Sequence, residues 1–269
     1  MTQKKETLYN VVVFYDVALE KIRWEFLYNF ALNFIERQGL KPTRMALDGN
    51  KVKLSGKTKS FRHYNKIIRD LSFERVDHFW IGAGYSENPG GDQDDCDIGF
   101  SADCHYGKEV FIYFRNDVLE YNTSMLKELS GPLAKASGSL YGAAFQIDQI
   151  KKDAFGYISA ILSADDCQEM ENNILNWDHA YNDPYGDCGT YKTGDFRDLY
   201  PLNFIGEAHL KRDVFGQTLR QWIETDSARG TLEPLNETLW TWEIPQENIS
   251  ALRQQLKPTD LLICFRPYE

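Results

Sequence analysis

No stretch of the chain dictates its local conformation more tightly than residues 195–245, DFRDLYPLNFIGEAHLKRDVFGQTLRQWIETDSARGTLEPLNETLWTWEIP. Pro201 fixes its own φ and disfavours helix at Tyr200. Leu199, Tyr200, Leu202, Phe204 and Ile205, following Asp198, are therefore expected to form a buried corner. From about Val214 onward, Leu219, Trp222 and Ile223 fall at three- and four-residue spacing. That spacing predicts a helix to about Thr225 with one buried stripe. Gly230 ends this excursion. Leu239 to Ile244 is rich in β-forming residues, and Pro245, which lacks a ladder donor, stops the strand predicted there.

The N-terminal part reads as alternating strands and helices. Val11 to Phe14 is a β-branched strand, and Ile22, Trp24, Phe26, Leu27, Phe30, Ala31, Phe34 and Ile35 recur at helical spacing up to a Gly39 cap. A hairpin is expected around Asp48-Gly49-Asn50, a Ser60-capped helix through Tyr64, Ile67, Ile68 and Leu71, and a strand over Phe73 to Ile81. An antiparallel pair over Cys96 to Asp103 and Val110 to Phe114 follows, then a helix marked by Leu119, Leu126, Leu129 and Leu133, and a strand over Leu140 to Ile147. This order, β-α-β-α-β-β-α-β, predicts an α+β fold with a mostly antiparallel sheet and helices packed on one face, ferredoxin-like in the N-terminal half. A domain boundary is expected near residue 150, giving an α+β sheet domain over 1–150 and a second α+β region over 151–269 packed on the same body. In that second part, Phe155 to Leu162 is ambiguous between strand and helix, Cys167 to Trp177 reads as helix, Ile249, Leu252 and Leu256 mark another helix, and Leu261 to Phe265 reads as a closing strand.

Charge is distributed unevenly. Residues 1–72 hold fourteen Lys and Arg against seven Asp and Glu, while the remainder holds sixteen against thirty-three, within a net charge of −10. An acidic surface of that size repels nucleic acid and attracts a basic protein. Two acidic clusters stand out. Asp92, Asp94, Asp95 and Asp97 sit in a Gly-bearing loop with Glu87, and Asp178, Asp183, Asp187, Asp195 and Asp198 are interleaved with Trp177, Tyr181, Tyr185 and Tyr191. Aromatic anchors among carboxylates suit a protein interface for the second cluster, which equally suits a loop packed onto the body, whereas the first reads foremost as a solvated loop and next as a partner-facing acidic patch. The first lacks the D-x-D-x-D-G spacing of a calcium hand, so no metal is expected there.

Chemistry-bearing motifs are lacking. His63, His78, His105, His179 and His209 never fall at zinc-hydrolase spacing, and there is no G-x-S-x-G. Gly56-Lys57-Thr58 fails as a phosphate loop because its first glycine position is Lys51. The basic run Lys51, Lys53, Lys57, Lys59, Arg62, Lys66 and Arg69 reads as a solvated hairpin and helix face. Five cysteines without a C-x-x-C pair argue against a disulfide framework, and no signal peptide or membrane span is visible, so a cytoplasmic location is expected, with no cofactor.

Arg197-Asp-Leu-Tyr-Pro-Leu-Asn-Phe-Ile205, then His209-Leu210, Gln221-Trp222-Ile223, Gly230-x-Leu232 and Leu239-x-x-Trp242-Glu243, together resemble immunity proteins of bacterial polymorphic-toxin systems. The similar group is encoded beside restriction-endonuclease-fold nuclease toxins, some of them delivered by type VI secretion. The resemblance covers about the last 75 residues. It implies a cytoplasmic, non-enzymatic inhibitor that binds a cognate basic toxin tightly, and it carries no contact residue across. The rival expectations are a hydrolase or nucleotide-handling enzyme with a noncontiguous site, and a structural adaptor.

Overall fold

The computed structural model describes residues 8–17, 20–49, 59–85, 96–104, 108–148 and 191–265. Its centre is β1 (Leu8–Tyr15), whose seven residues after Leu8 are all buried. Because successive strand side chains point to opposite faces, such a run must be covered on both sides. Val12 and Phe14 enter one core, while Val11, Val13 and Tyr15 enter another.

The first core is closed by helices. α1 (Trp24–Arg37) buries Trp24, Leu27, Tyr28, Ala31, Phe34 and Ile35, a three- and four-residue repeat that forms one stripe. α2 (Phe61–Asp70) buries Tyr64 and Ile68. In α3 (Thr123–Ser137) the Asn122 side chain accepts from the Met125 N–H, and Gly138 at φ 66° takes the left-handed position that ends the helix.

Around β1 the sheet grows to ten strands. In chain order they are β2 (Pro42–Asp48), β3 (Lys59–Ser60), β4 (His78–Tyr85), β5 (Cys96–Asp103), β6 (Val110–Arg115), β7 (Tyr141–Asp148), β8 (Leu202–Gly206), then β11 (Thr231–Pro234) and β12 (Leu239–Glu243) after the short pair β9 (Asp213–Val214) and β10 (Gln217–Thr218). Across the sheet they run β11-β12-β8-β7-β1-β6-β5-β4-β2-β3. Every neighbouring pair is antiparallel, with Val12 opposite both Ile112 and Ala144 at the centre. The α+β class with a large antiparallel sheet is therefore the observed architecture. The sheet runs on past residue 150, since β7 pairs with β8 from Tyr141↔Ile205 to Ala144↔Leu202.

The C-terminal segments close the second face. α4 (Glu207–Leu210), α5 (Leu219–Glu224) and α6 (Ile249–Leu256) contribute Leu210, Leu219, Trp222, Ile223, Leu252 and Leu256 to the core that also holds Trp80, Phe111 and Tyr113 of the sheet. Helices thus flank both faces: α1 to α3 on one, α4 to α6 on the other.

Local departures from the sequence reading have physical causes. The expected corner at Leu202 to Ile205 is strand β8, in which Asn203 takes an inward position. Its amide donates to the Tyr200 carbonyl at 2.7 Å and accepts from the Tyr200 N–H at 3.1 Å, so the buried polar side chain is satisfied. The helix expected from about Val214 starts only at Leu219, where Thr218 and Gln221 form a capping box. β4 starts at His78 instead of Phe73 because Ser72 and Phe73, at φ 50° and 62°, turn the chain. Leu261 to Phe265 is no closing strand. It makes one parallel bridge, Phe196↔Leu262, and then a 3₁₀ turn, because it crosses the sheet face and bonds to residues 196–197 through Phe196 N–H to Leu261 O (2.9 Å) and Ile263 N–H to Phe196 O (2.8 Å). The expected elements at 51–54, 155–162 and 167–177 lie outside the described residues.

Candidate partner-binding site

Of the expected acidic surface, Asp97, Asp195 and Asp198 are described, whereas Asp92, Asp94, Asp95, Trp177, Asp178, Tyr181, Asp183, Tyr185 and Asp187 lie outside the described residues. Asp97, second residue of β5, is clamped by Arg115 at the end of β6, whose Nη1 donates to Oδ1 at 2.8 Å. The same guanidinium grips Asp117 through Nε (2.9 Å) and Nη2 (2.6 Å). Partial burial raises the Asp97 carboxyl above its usual range, and Arg115 opposes that rise. Gly84 of β4, at φ 72°, makes room for it, since a Cβ there would lie 2.1 Å from Asp97 Oδ2. The result is a fixed acid-Arg-acid group with surplus negative charge at the rim of the sheet.

Asp195 and Asp198 face inward, at 6% and 8% exposure. Asp195 pairs with Arg212 at 3.2 Å and accepts from the Thr193 hydroxyl at 3.1 Å. Asp198 Oδ1 accepts from Arg253 Nε (2.8 Å) and the Leu199 N–H (2.7 Å). The two carboxylates therefore fasten the 195–198 segment to α6 and to the turn after α4.

Beside them runs a buried polar seam that local sequence could not foretell. The Tyr141 ring stacks on Tyr191 at 4.4 Å and on His209 at 5.3 Å. Arg197, 4% exposed, donates to the Tyr15 hydroxyl at 2.5 Å. His209 Nε2 donates to the Asp195 carbonyl at 3.1 Å, which assigns the proton to Nε2 and leaves Nδ1 without a hydrogen-bond partner among the described residues. Burial and then Arg212 bring His209 down to about 4, against the pull of that carbonyl. At the end of β1, Asp16 takes φ 57°, and burial pushes its carboxyl up to about 7, against Lys192, Lys108 and the Tyr191 N–H.

The seam has the residue types of acid-base chemistry but lies in the interior, with His209 fully buried, and it links the C-terminal segments to the sheet. His78 Nε2 lies 3.4 Å from Ser101 Oγ with Asp103 and Asp48 nearby, and Ser101 is 1% exposed. Burial raises the thiols of Cys104, to about 12, and of Cys264, which keeps both protonated and poorly nucleophilic at neutral pH. Among the described residues, no group of three or more His, Cys, Asp or Glu side chains is placed to hold a metal ion, and no helix is long and apolar enough to cross a membrane.

The described surface also carries a shallow groove of about 360 Å³ lined by Arg23, Trp24, Glu25, Phe26, Ser72, Phe73 and Glu74. Among the described residues, three large apolar side chains are notably exposed: Leu8, Phe26 and Phe215. Phe26 is partly sheltered, stacked on Phe30 at 6.2 Å with the Arg23 guanidinium 5.1 Å from its ring centre.

No family model matches the sequence, and no curated protein matches it. Among solved structures, Pseudomonas aeruginosa T6SS protein PA0821 is similar, with a TM-score of 0.54, over 95% of this chain and 73% of that one, at 10% sequence identity. At that identity the likeness concerns the fold.

Proposed function

We propose that the chain is an immunity protein that binds and inhibits a cognate bacterial toxin, a nuclease delivered by type VI secretion. The observation that carries this reading is the fold likeness to a T6SS protein over nearly the whole chain. It is supported by the separate resemblance of residues 197–243 to immunity proteins encoded beside nuclease toxins. The charge balance supports it too: with thirty-three acids against sixteen bases after residue 72, the chain attracts a nuclease whose own substrate demands a basic face. In this reading Asp92, Asp94, Asp95 and Asp97, with Asp178, Asp183 and Asp187, supply the attracting charge. Trp177, Tyr181 and Tyr185 supply anchors that lose water on binding. Asp195 and Asp198 act from inside, holding the end of the second loop against the body through Arg212 and Arg253.

The test is protection in cells. The reading predicts that inducing the gene product encoded beside this chain arrests growth and that co-expressing the chain restores it. Growth arrest that persists with the chain abundant and soluble would refute the reading.

A further inference from the structure

The pair β9–β10 is a hairpin with a two-residue loop, Phe215-Gly216, in which Val214 lies opposite Gln217. Both loop residues have positive φ, 55° and 81°, as a type I′ turn requires. The first of these positions favours Asn, Asp or Gly, because a Cβ in the left-handed region crowds the backbone. A phenylalanine there is strained. It is also 58% exposed and has no aromatic or cationic partner among the described residues. Two costs thus fall on one residue, a disfavoured backbone and a wetted ring.

The turn is held rigidly. The Gly216 N–H donates to Asp213 Oδ1 at 3.3 Å, the Leu219 N–H to the Arg212 carbonyl at 2.8 Å, and the Thr218–Gln221 capping box fixes α5 directly behind it. The neighbouring Val214 and Leu219 are fully buried, so the tip cannot fold its ring inward without uprooting the core. Backbone strain kept in place by rigid surroundings clusters at sites that bind or react.

We propose that Phe215 is an anchor for a partner protein, inserting its ring into an apolar pocket of the toxin, and this rests on the immunity reading above. A second copy of the chain is a poor occupant. The exposed part of one phenylalanine is on the order of 100 Å², an anchor within a contact and not a whole interface, which buries about 800 Å² on each side. The tip's surroundings, Lys211, Asp213 and Gln217, add charge and polarity instead of apolar area. A single projecting ring inside a polar rim is the form of an interface hot spot.

The experiment compares wild type, Phe215→Asn and Phe215→Tyr for thermal stability and for affinity to the purified product of the neighbouring effector gene. Asn suits the turn, so Phe215→Asn should melt no lower than wild type while binding at least about 30-fold more weakly. Phe215→Tyr should keep affinity within about threefold, because the ring body remains. Wild-type binding that Phe215→Asn leaves unchanged would overturn the anchor and leave the immunity reading standing. If wild type does not bind the effector at all, both fall together. A melting temperature several degrees lower for Phe215→Asn would make the ring structural. Loss of a concentration-dependent dimer in that variant would make the occupant a second copy. Either result overturns the proposal.

Discussion

Trp222 joins two layers of the molecule. It is 2% exposed, meets Trp242 edge-on at 6.5 Å, and carries the Arg229 guanidinium 4.3 Å from its ring centre. Trp222→Ala should therefore destabilise by about 3–5 kcal/mol in urea unfolding, as truncation of a large buried aromatic does. A loss below about 1 kcal/mol, the range of surface changes, would place the ring outside the core. Asp16 gives a prediction with a sign. Its folded carboxyl titrates at about 7 against an ordinary 3.8, so between these values the folded state holds a proton that the unfolded state has released. The stabilisation from Asp16 is complete below about 3.8 and is lost as pH rises through about 7. His209, lowered to about 4, acts oppositely over the same window, losing stability as pH falls from 6.5 through 4. The clean readout is therefore a difference: Asp16→Asn, which also suits φ 57°, should gain melting temperature relative to wild type as pH rises from 4 to 7. A difference that does not change over that range would contradict the assignment.

At the scale of elements, the start of α5 is the sharpest test. Thr218 accepts from the Gln221 N–H at 3.2 Å while Gln221 Oε1 receives the Thr218 N–H at 3.0 Å. Thr218→Ala should cost about 1 kcal/mol as the loss of an N-cap. Were the helix to run from Val214, the same change would fall in a helix interior and be neutral or stabilising. α1 was legible in the sequence because a three- and four-residue apolar repeat has few other uses, and β12 because aromatic and β-branched residues end at a proline. β8 was hidden because Asn203 breaks the apolar pattern, and its partners, the Tyr200 backbone and the Trp242 carbonyl at 3.4 Å, are set by tertiary folding. The hairpin was hidden because Phe215 violates the turn preference that would have announced it. The inward role of Asp198 was illegible because its cation, Arg253, lies 55 residues away. The apolar run at the C-terminus looked like a strand. It pairs with neither edge strand, β11 or β3, and its backbone bonds instead to residues 196–197.

At the scale of the molecule, one continuous antiparallel sheet, closed on one face by α1 to α3 and on the other by the C-terminal segments, makes a stiff body bearing a large negative charge. If that charge steers the toxin, raising salt should slow association far more than it speeds dissociation. Changing Asp94, Asp95 and Asp97 to Asn should lower the on-rate, whereas Trp177→Ala or Tyr185→Ala should mainly shorten the lifetime of the complex. Kinetics unmoved by any of these changes would place the interface elsewhere. Inhibition by binding is tested most directly by titrating the purified neighbouring effector with this chain while following nucleic-acid cleavage. The account predicts a linear loss of activity that reaches zero at one chain per effector; full cleavage in the presence of a tenfold excess of the chain would contradict it.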